Sequence, residues 1–201
     1  NILPIQPGVS IAALMPVDVP EAEWETLQIV FATSDGDVRQ NDLSDFTNVK
    51  RNGKIAMNLP DGVSLVNAAI ADENDDVMLV TALGRAIRFP TTEIRVFKSR
   101  GSTGVRGIRL GATDKVVSMA IIRHFEASPD ERAAYLKQRR LVAGAPDDAA
   151  ETDEDDEGVS VEAGQLSAER YVEMSAAEDL ILTIPTSGSG KLSSSHDYPV
   201  R

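Results

Sequence analysis

Four groups among the 201 residues have types and spacing that invite chemistry, and three fail on inspection. Gly188-Ser189-Gly190-Lys191 carries the Gly-Lys pair of a nucleotide-phosphate loop. The glycine required five residues before Gly190 is Pro185, however, and Leu192 stands where a metal-binding hydroxyl is needed. Gly101, Gly104 and Gly107 are spaced GxxGxxG, which is not the dinucleotide fingerprint; strand bends or close backbone approach explain them better. His124 and His196 are the only histidines, far apart and without a ligand pattern, so no metal site is expected. The fourth group is electrostatic. Arg85, Arg88, Arg95, Lys98, Arg100, Arg106, Arg109, Lys115 and Arg123 face only Glu93 and Asp114 over the same stretch, a stripe suited to phosphates.

That positive charge is local. The whole sequence has 20 Lys plus Arg against 32 Asp plus Glu, a formal charge of −12. Residues 1–125 hold 13 basic and 15 acidic side chains, 126–179 hold 5 and 16, and 180–201 hold 2 and 1. A near-neutral body with a basic stripe is interrupted by an acidic insertion. The lack of cysteine excludes a disulfide framework and thiolate chemistry. No run approaches the roughly eighteen apolar residues of a membrane span, and NILPIQPGVS lacks a charged n-region, an h-region and an initiator Met. No membrane association or signal peptide is expected, and the sequence reads as a fragment.

A repeat must position these cations. Segments 27–46, 76–94 and 179–198 share one grammar: a short apolar run, a small-residue turn containing Gly, then a second short segment. Gly36 and Gly84 lie 48 apart, GKIAMNL (53–59) and GVRGIRL (104–110) lie 51 apart, and the strand starts Ser10 and Ser64 lie 54 apart. A period near fifty filled by short strands marks a propeller-like array. The apolar runs are nearly continuous and rich in Val, Ile and Leu, as strands buried on both faces require. Ser34-Asp35-Gly36 suits a three-residue hairpin turn, with Gly supplying the positive φ. The predicted fold is all-β, a propeller-like fragment of about three blades: 1–60, 61–110, and 111–123 plus 178–201.

Residues 124–177 form the predicted insertion into the third blade. Ser128-Pro129-Asp130-Glu131 combines a capping hydroxyl, Pro at the first position and acids facing the dipole, predicting a helix over about 129–141. Segment 144–158 has too few apolar residues to offset the entropy of ordering and reads as a disordered acidic linker. A short helix over about 167–176 leads back to the blade.

In GKIAMNLPDG (53–62), DVMLVTALGRAIRF (76–89), STGVRGIRLGATDKVVSM (102–119) and SGSGKLSSSHDYPVR (187–201), the sequence resembles the C-terminal domain of the DNA gyrase A family, with TGVRGIRL the most specific segment. The likeness covers roughly 1–123 and 179–201. The family's basic box, of Gln-Arg-Arg-Gly-Gly-Lys-Gly type, does not occur in it. The resemblance implies a β-pinwheel whose blades exchange strands and whose basic rim wraps duplex DNA, in a cytoplasmic, nucleoid-associated protein. It implies the rest of the gyrase A subunit and the gyrase B subunit as partners in an A2B2 heterotetramer, an ATP-dependent type II topoisomerase that introduces negative supercoils. ATP and magnesium would serve the rest of that enzyme, and this fragment would hold no cofactor and no catalytic residue. The family's cleaving tyrosine follows an arginine, as Tyr171 follows Arg170, but it belongs to another domain, so the match is read as coincidence. Two alternatives stand beside this reading: the A subunit of the decatenating topoisomerase IV, and a non-catalytic protein-binding propeller scaffold.

A wrapping surface tracks phosphates without reading bases, so it needs cations at regular intervals on one rim. Arg39 and Lys191 fall three residues past Gly36 and Gly188, while Arg85 and Arg88 lie one and four past Gly84. Lys50, Arg51 and Lys54 border one connecting strand; Arg95, Lys98, Arg100 and Arg106 border the next. These eleven form the predicted DNA-binding set. Arg109, alternating with apolar neighbours, reads as a structural cation within a strand. The aromatics Trp24, Phe31, Phe46, Phe89 and Phe97 read as core or blade-edge packing. The acidic run 147–157 reads as a solvated linker or, more sharply, as a competitor of DNA whose deletion would tighten binding at low salt.

Overall fold

A computed structural model describes residues 8–47, 53–99, 101–144 and 166–201. They divide into two units, residues 1–122 with 200–201 and residues 123–199.

Two hairpins organise the first unit: β1 (Gln28–Thr33) with β2 (Asp37–Asp42), and β4 (Asp75–Thr81) with β5 (Ala86–Pro90). Their turns are the same device. The N–H of Gly36, at φ 90°, donates to the Thr33 carbonyl at 3.0 Å, and that of Gly84, at φ 83°, donates to the Thr81 carbonyl at 3.1 Å. Register agrees as well, with Phe31 opposite Arg39 and Leu79 opposite Ile87. Strand β3 (Leu65–Ala71) pairs antiparallel with β1, and β7 (Val116–Arg123) adds to β4. A two-residue strand, β6 (Val105–Arg106), closes the other edge of the first hairpin by pairing with Val38 and Asp37. The sheets are therefore ordered β3-β1-β2-β6 and β5-β4-β7.

This pairing shifts the phase of the predicted blades. Strand β3, counted by sequence in the second segment, completes the first sheet, and β7, counted in the third, completes the second. Each such strand pairs with the hairpin that precedes it in the chain. Ser10–Leu14 has no such hairpin among the described residues; it forms no strand and leaves Ile11 and Leu14 exposed. Nor does GKIAMNL form one, and GVRGIRL forms only β6.

Alternation on β1 buries both faces. Val30 and Ala32 join Val38, Val77, Leu79, Phe89, Ile108, Val116 and Met119 in one cluster, while Ile29 and Phe31 pack with Leu43, Trp24 and Phe46 in another. Tight backbone contact fixes β6 against this core. A Cβ at Gly104, which has φ 113°, would strike the Val38 carbonyl, and one at Gly107 would come within 2.9 Å of Val38 and 3.0 Å of Leu79. The most distinctive segment of the sequence is thus glycine-rich because a strand must press onto its neighbour there.

The second unit pairs helices α1 (Pro129–Val142) and α2 (Ala168–Ala176) with a hairpin of β8 (Leu180–Thr183) and β9 (Lys191–Ser194). Ser128 and Glu131 form a reciprocal capping box at the start of α1. Arg170 of α2 reaches Glu131 at 2.8 Å and Glu173 at 3.0 Å, and it lies over the Phe125 ring. Buried Tyr135 stacks near Tyr171 and His196, and His196 Nε2 lies 2.9 Å from the Met174 carbonyl. The expected acidic linker falls, from residue 145 onward, outside the described residues.

Candidate nucleic-acid interface

Burial removes two of the predicted DNA contacts. Arg39 is 0% exposed. Its Nε donates to Asn41 Oδ1 at 2.7 Å, and its two terminal nitrogens donate to the carbonyls of Ser99 and Ser102. Arg88 is 3% exposed and meets Asp76, 0% exposed, at 2.7 Å. A guanidinium enclosed in this way serves the protein interior, so neither residue can reach a phosphate from this position. Spacing from the turn glycine misled because both faces of these hairpins are covered: β2 is buried continuously from Val38 to Asn41, and Arg88 and Phe89 are buried side by side on β5.

Other cations do reach the surface. At the turn end of the second hairpin, exposed Arg85 donates to the Arg109 carbonyl at 3.1 Å, and the N–H of Ala82 donates to the Lys115 carbonyl at 2.8 Å. These contacts tie the turn to segment 109–115 and gather Arg85, Arg109 and Lys115, all exposed, in one region. Asp114 sits among them. Desolvation raises its pKa, but hydrogen bonds from the Thr81 hydroxyl and the Leu83 and Lys115 N–H groups, with Arg85 nearby, hold the carboxyl below its usual range.

The remaining predicted residues differ in how free they are. Arg95 is exposed and stacks on Phe97 at 4.5 Å; Lys98 is exposed beside it. Arg106 has half its side chain exposed but pairs with Asp37 at 3.1 Å and donates to the Asp35 carbonyl. Partial burial pushes the Asp37 carboxyl up, Arg106 opposes that and Asp35 adds to it. Lys54 Nζ is half-buried and donates to the carbonyls of Asp45 and Thr47 at 2.9 and 2.6 Å, which makes it chiefly a loop clasp. Lys191 is exposed on β9 of the other unit. Lys50, Arg51 and Arg100 lie outside the described residues.

The family model for the DNA gyrase C-terminal domain, a β-propeller, matches residues 28–72 and 75–123. The chain belongs to the DNA gyrase C-terminal domain family. The DNA gyrase A subunit of Granulibacter bethesdensis is 45% identical over 208 residues, covering 100% of this chain and 22% of that protein. Its counterpart in Rickettsia bellii is 39% identical over 203 residues, again 100% and 22%. The chain therefore spans about a fifth of the length of these curated relatives. In fold it is similar to a solved topoisomerase IV C-terminal domain, with a TM-score of 0.54 and 24% identity over 61% of this chain and 37% of that one. A solved gyrase A C-terminal domain gives a TM-score of 0.52 and 20% identity over 60% and 38%.

Within this gyrase family fold, two exposed cations fell outside the predicted set. Arg109 is a surface residue in an irregular segment, not a strand cation, because the ladder of β6 ends at Arg106. Lys115 directly precedes β7 and was hidden by reading KVVSMAII only as an apolar run. Their place in the basic stripe 85–123 was the available signal for both.

Proposed function

We propose that these residues bind and wrap duplex DNA as the C-terminal part of a DNA gyrase A subunit. The observation that carries this reading is the exposed group Arg85, Arg109 and Lys115, with Arg95 and Lys98 exposed elsewhere in the same unit, on a domain of the gyrase family. Flexible cations on a rigid sheet edge neutralise phosphates without selecting bases. Wrapping would supply geometry to a cytoplasmic, nucleoid-associated enzyme in which the remainder of the gyrase A chain and the gyrase B chain, as A2B2, use ATP and magnesium for negative supercoiling. Whole-chain identity of 45% to a gyrase A protein supports this reading over the topoisomerase IV alternative. An anisotropy titration of a duplex against salt tests it. If about six phosphates are neutralised, affinity falls ~10³-fold or more between 50 and 200 mM salt. No measurable duplex binding at 50 mM salt would support the protein-binding scaffold instead.

A further inference from the structure

We infer that the cavity at the foot of the first hairpin, walled by the buried Gln40 amide and by Asp72 and Glu73, binds a guanidinium group. None of its lining residues belongs to the exposed basic group, and the inference does not rest on the DNA-binding reading.

The cavity measures about 450 Å³ and lies within the first unit, where the β3–β4 connection meets the start of β1 and residues 91–96. Hydrogen bonds fix its walls. The Phe97 N–H donates to the Gln40 carbonyl at 2.8 Å, the Thr91 hydroxyl donates to the Asp72 carbonyl at 2.7 Å, and the Asn74 N–H donates to Asp72 Oδ1 at 2.6 Å. Gln40 is 5% exposed, yet its Oε1 has no hydrogen-bond donor among the described residues. A buried acceptor without a partner is costly, so the site suits a ligand that donates. Among the described residues no Lys, Arg or His lines the cavity, and no cation pairs with Asp72 or Glu73. The ligand therefore combines donors with positive charge. The repeat indicates which cation fits. At the places of Gln28 and Gln40, 48 residues on, stand Asp76 and Arg88, and there a guanidinium meets a carboxylate at 2.7 Å. The first hairpin offers an amide at each of these places and a cation at neither. A guanidinium brings a rigid fork of N–H donors for the amide oxygens and a carboxylate, while its aliphatic stem can lie on Ile94 and Val96 in the same wall.

Nuclear magnetic resonance titration of the full chain with N-acetyl-arginine amide tests the inference, with the N-acetyl-lysine and N-acetyl-citrulline amides as charged and neutral comparators. The arginine compound should saturate with a dissociation constant of about 1 mM, shifting the Gln40 side-chain amide and the backbone amides of 72–74 and 91–96. Both comparators should bind about ten-fold more weakly, one lacking the fork and the other the charge. Glu73→Gln should weaken binding about three-fold and Gln40→Leu about ten-fold. Gln28→Asp with Gln40→Arg, which supplies the guanidinium from within as Arg88 does, should abolish it. If Gln40→Leu does not fold, Glu73→Gln and the double variant decide, because Glu73 is exposed. A Gly-Gly-Arg-Gly-Gly peptide and ethylguanidinium separate the sources. Tighter binding of the peptide assigns the site to an arginine of a protein segment, equal affinity assigns it to a free small guanidine, and both support the site. Shifts that do not saturate, equal affinity for the arginine and lysine compounds, or undiminished binding by the double variant would each overturn the inference. None of these results bears on duplex binding.

Discussion

The two hairpins of the first unit have the same turn and register but place their charge in opposite locations. Gln28 and Gln40 of the first hairpin occupy the positions of Asp76 and Arg88 in the second, 48 residues on in each case. The second hairpin thus holds a buried ion pair where the first has two amides, and Gln40 Oε1 finds no hydrogen-bond donor among the described residues. At the turns the contrast reverses. Asp35 and Asp37 crowd the first turn and engage Arg106, while Arg85, Arg109 and Lys115 surround the second. Each hairpin buries one arginine, Arg39 or Arg88, so basic residues per blade do not count phosphate contacts.

Breaking the buried pair should give the largest effect. Asp76→Ala should cost about 3–5 kcal/mol in denaturant unfolding, because it strands the Arg88 charge in the core. Replacing both partners together, Asp76→Leu with Arg88→Met, should recover most of that loss. A loss of similar size in the double variant would show that the pair is more than mutually compensating.

Gly104→Ala should cost about 2–3 kcal/mol, since a side chain there meets the Val38 carbonyl at a left-handed φ. Amide exchange should accelerate along β2 and stay unchanged along β5, whose outer edge meets Val200 and Arg201 rather than β6. Transplanting the ion pair sharpens the comparison further. Gln28→Asp with Gln40→Arg should lie within about 1 kcal/mol of wild type, whereas Gln40→Arg alone should be less stable. An additive double variant would mean that the two positions do not communicate in the first hairpin.

On DNA, Arg85→Ala with Arg109→Ala should lower the salt slope by about two and leave the melting temperature unchanged. The smallest effects are pH-dependent and opposite in sign at the two turns. The Asp37 carboxyl is raised, so the folded state binds its proton more readily than the unfolded chain does, and acidification relieves a cost present at neutral pH. Asp37→Asn should accordingly stabilise at pH 7, with the gain vanishing as pH falls below the ordinary aspartate range. The Asp114 carboxyl is lowered, so its contribution is present above the ordinary value and is lost as pH falls through the depressed one. Asp114→Asn should destabilise at pH 7 and become neutral in acid. Matching pH trends in the two variants would contradict this assignment.

Local features were the legible ones. Gly36, Gly84 and Gly188 mark three turns closed by the same bond, the last from the Gly188 N–H to the Pro185 carbonyl at 2.9 Å, because a positive φ is written in a single residue. The start of α1 is likewise local, set by Ser128, Pro129 and Glu131 within one turn. What sequence spacing could not show depends on partners far along the chain. Arg39 is buried because the carbonyls of Ser99 and Ser102, about sixty residues later, receive it. Blade phase was hidden for the same reason: a period can be counted from any landmark, whereas only pairing shows that β3 belongs with the hairpin before it. The exposed cluster was half-visible, since Arg85 follows a turn glycine while Arg109 and Lys115 join it only through backbone contacts.

The two-residue strand β6 has a consequence for synthesis. It closes the edge of β2 but is encoded after the whole second hairpin, with Arg106 pairing back to Asp37. A nascent chain emerging from the ribosome would therefore hold its first sheet with one flank open until the second hairpin has been made. An open flank of this kind is the place where a neighbouring nascent chain can add a strand by mistake.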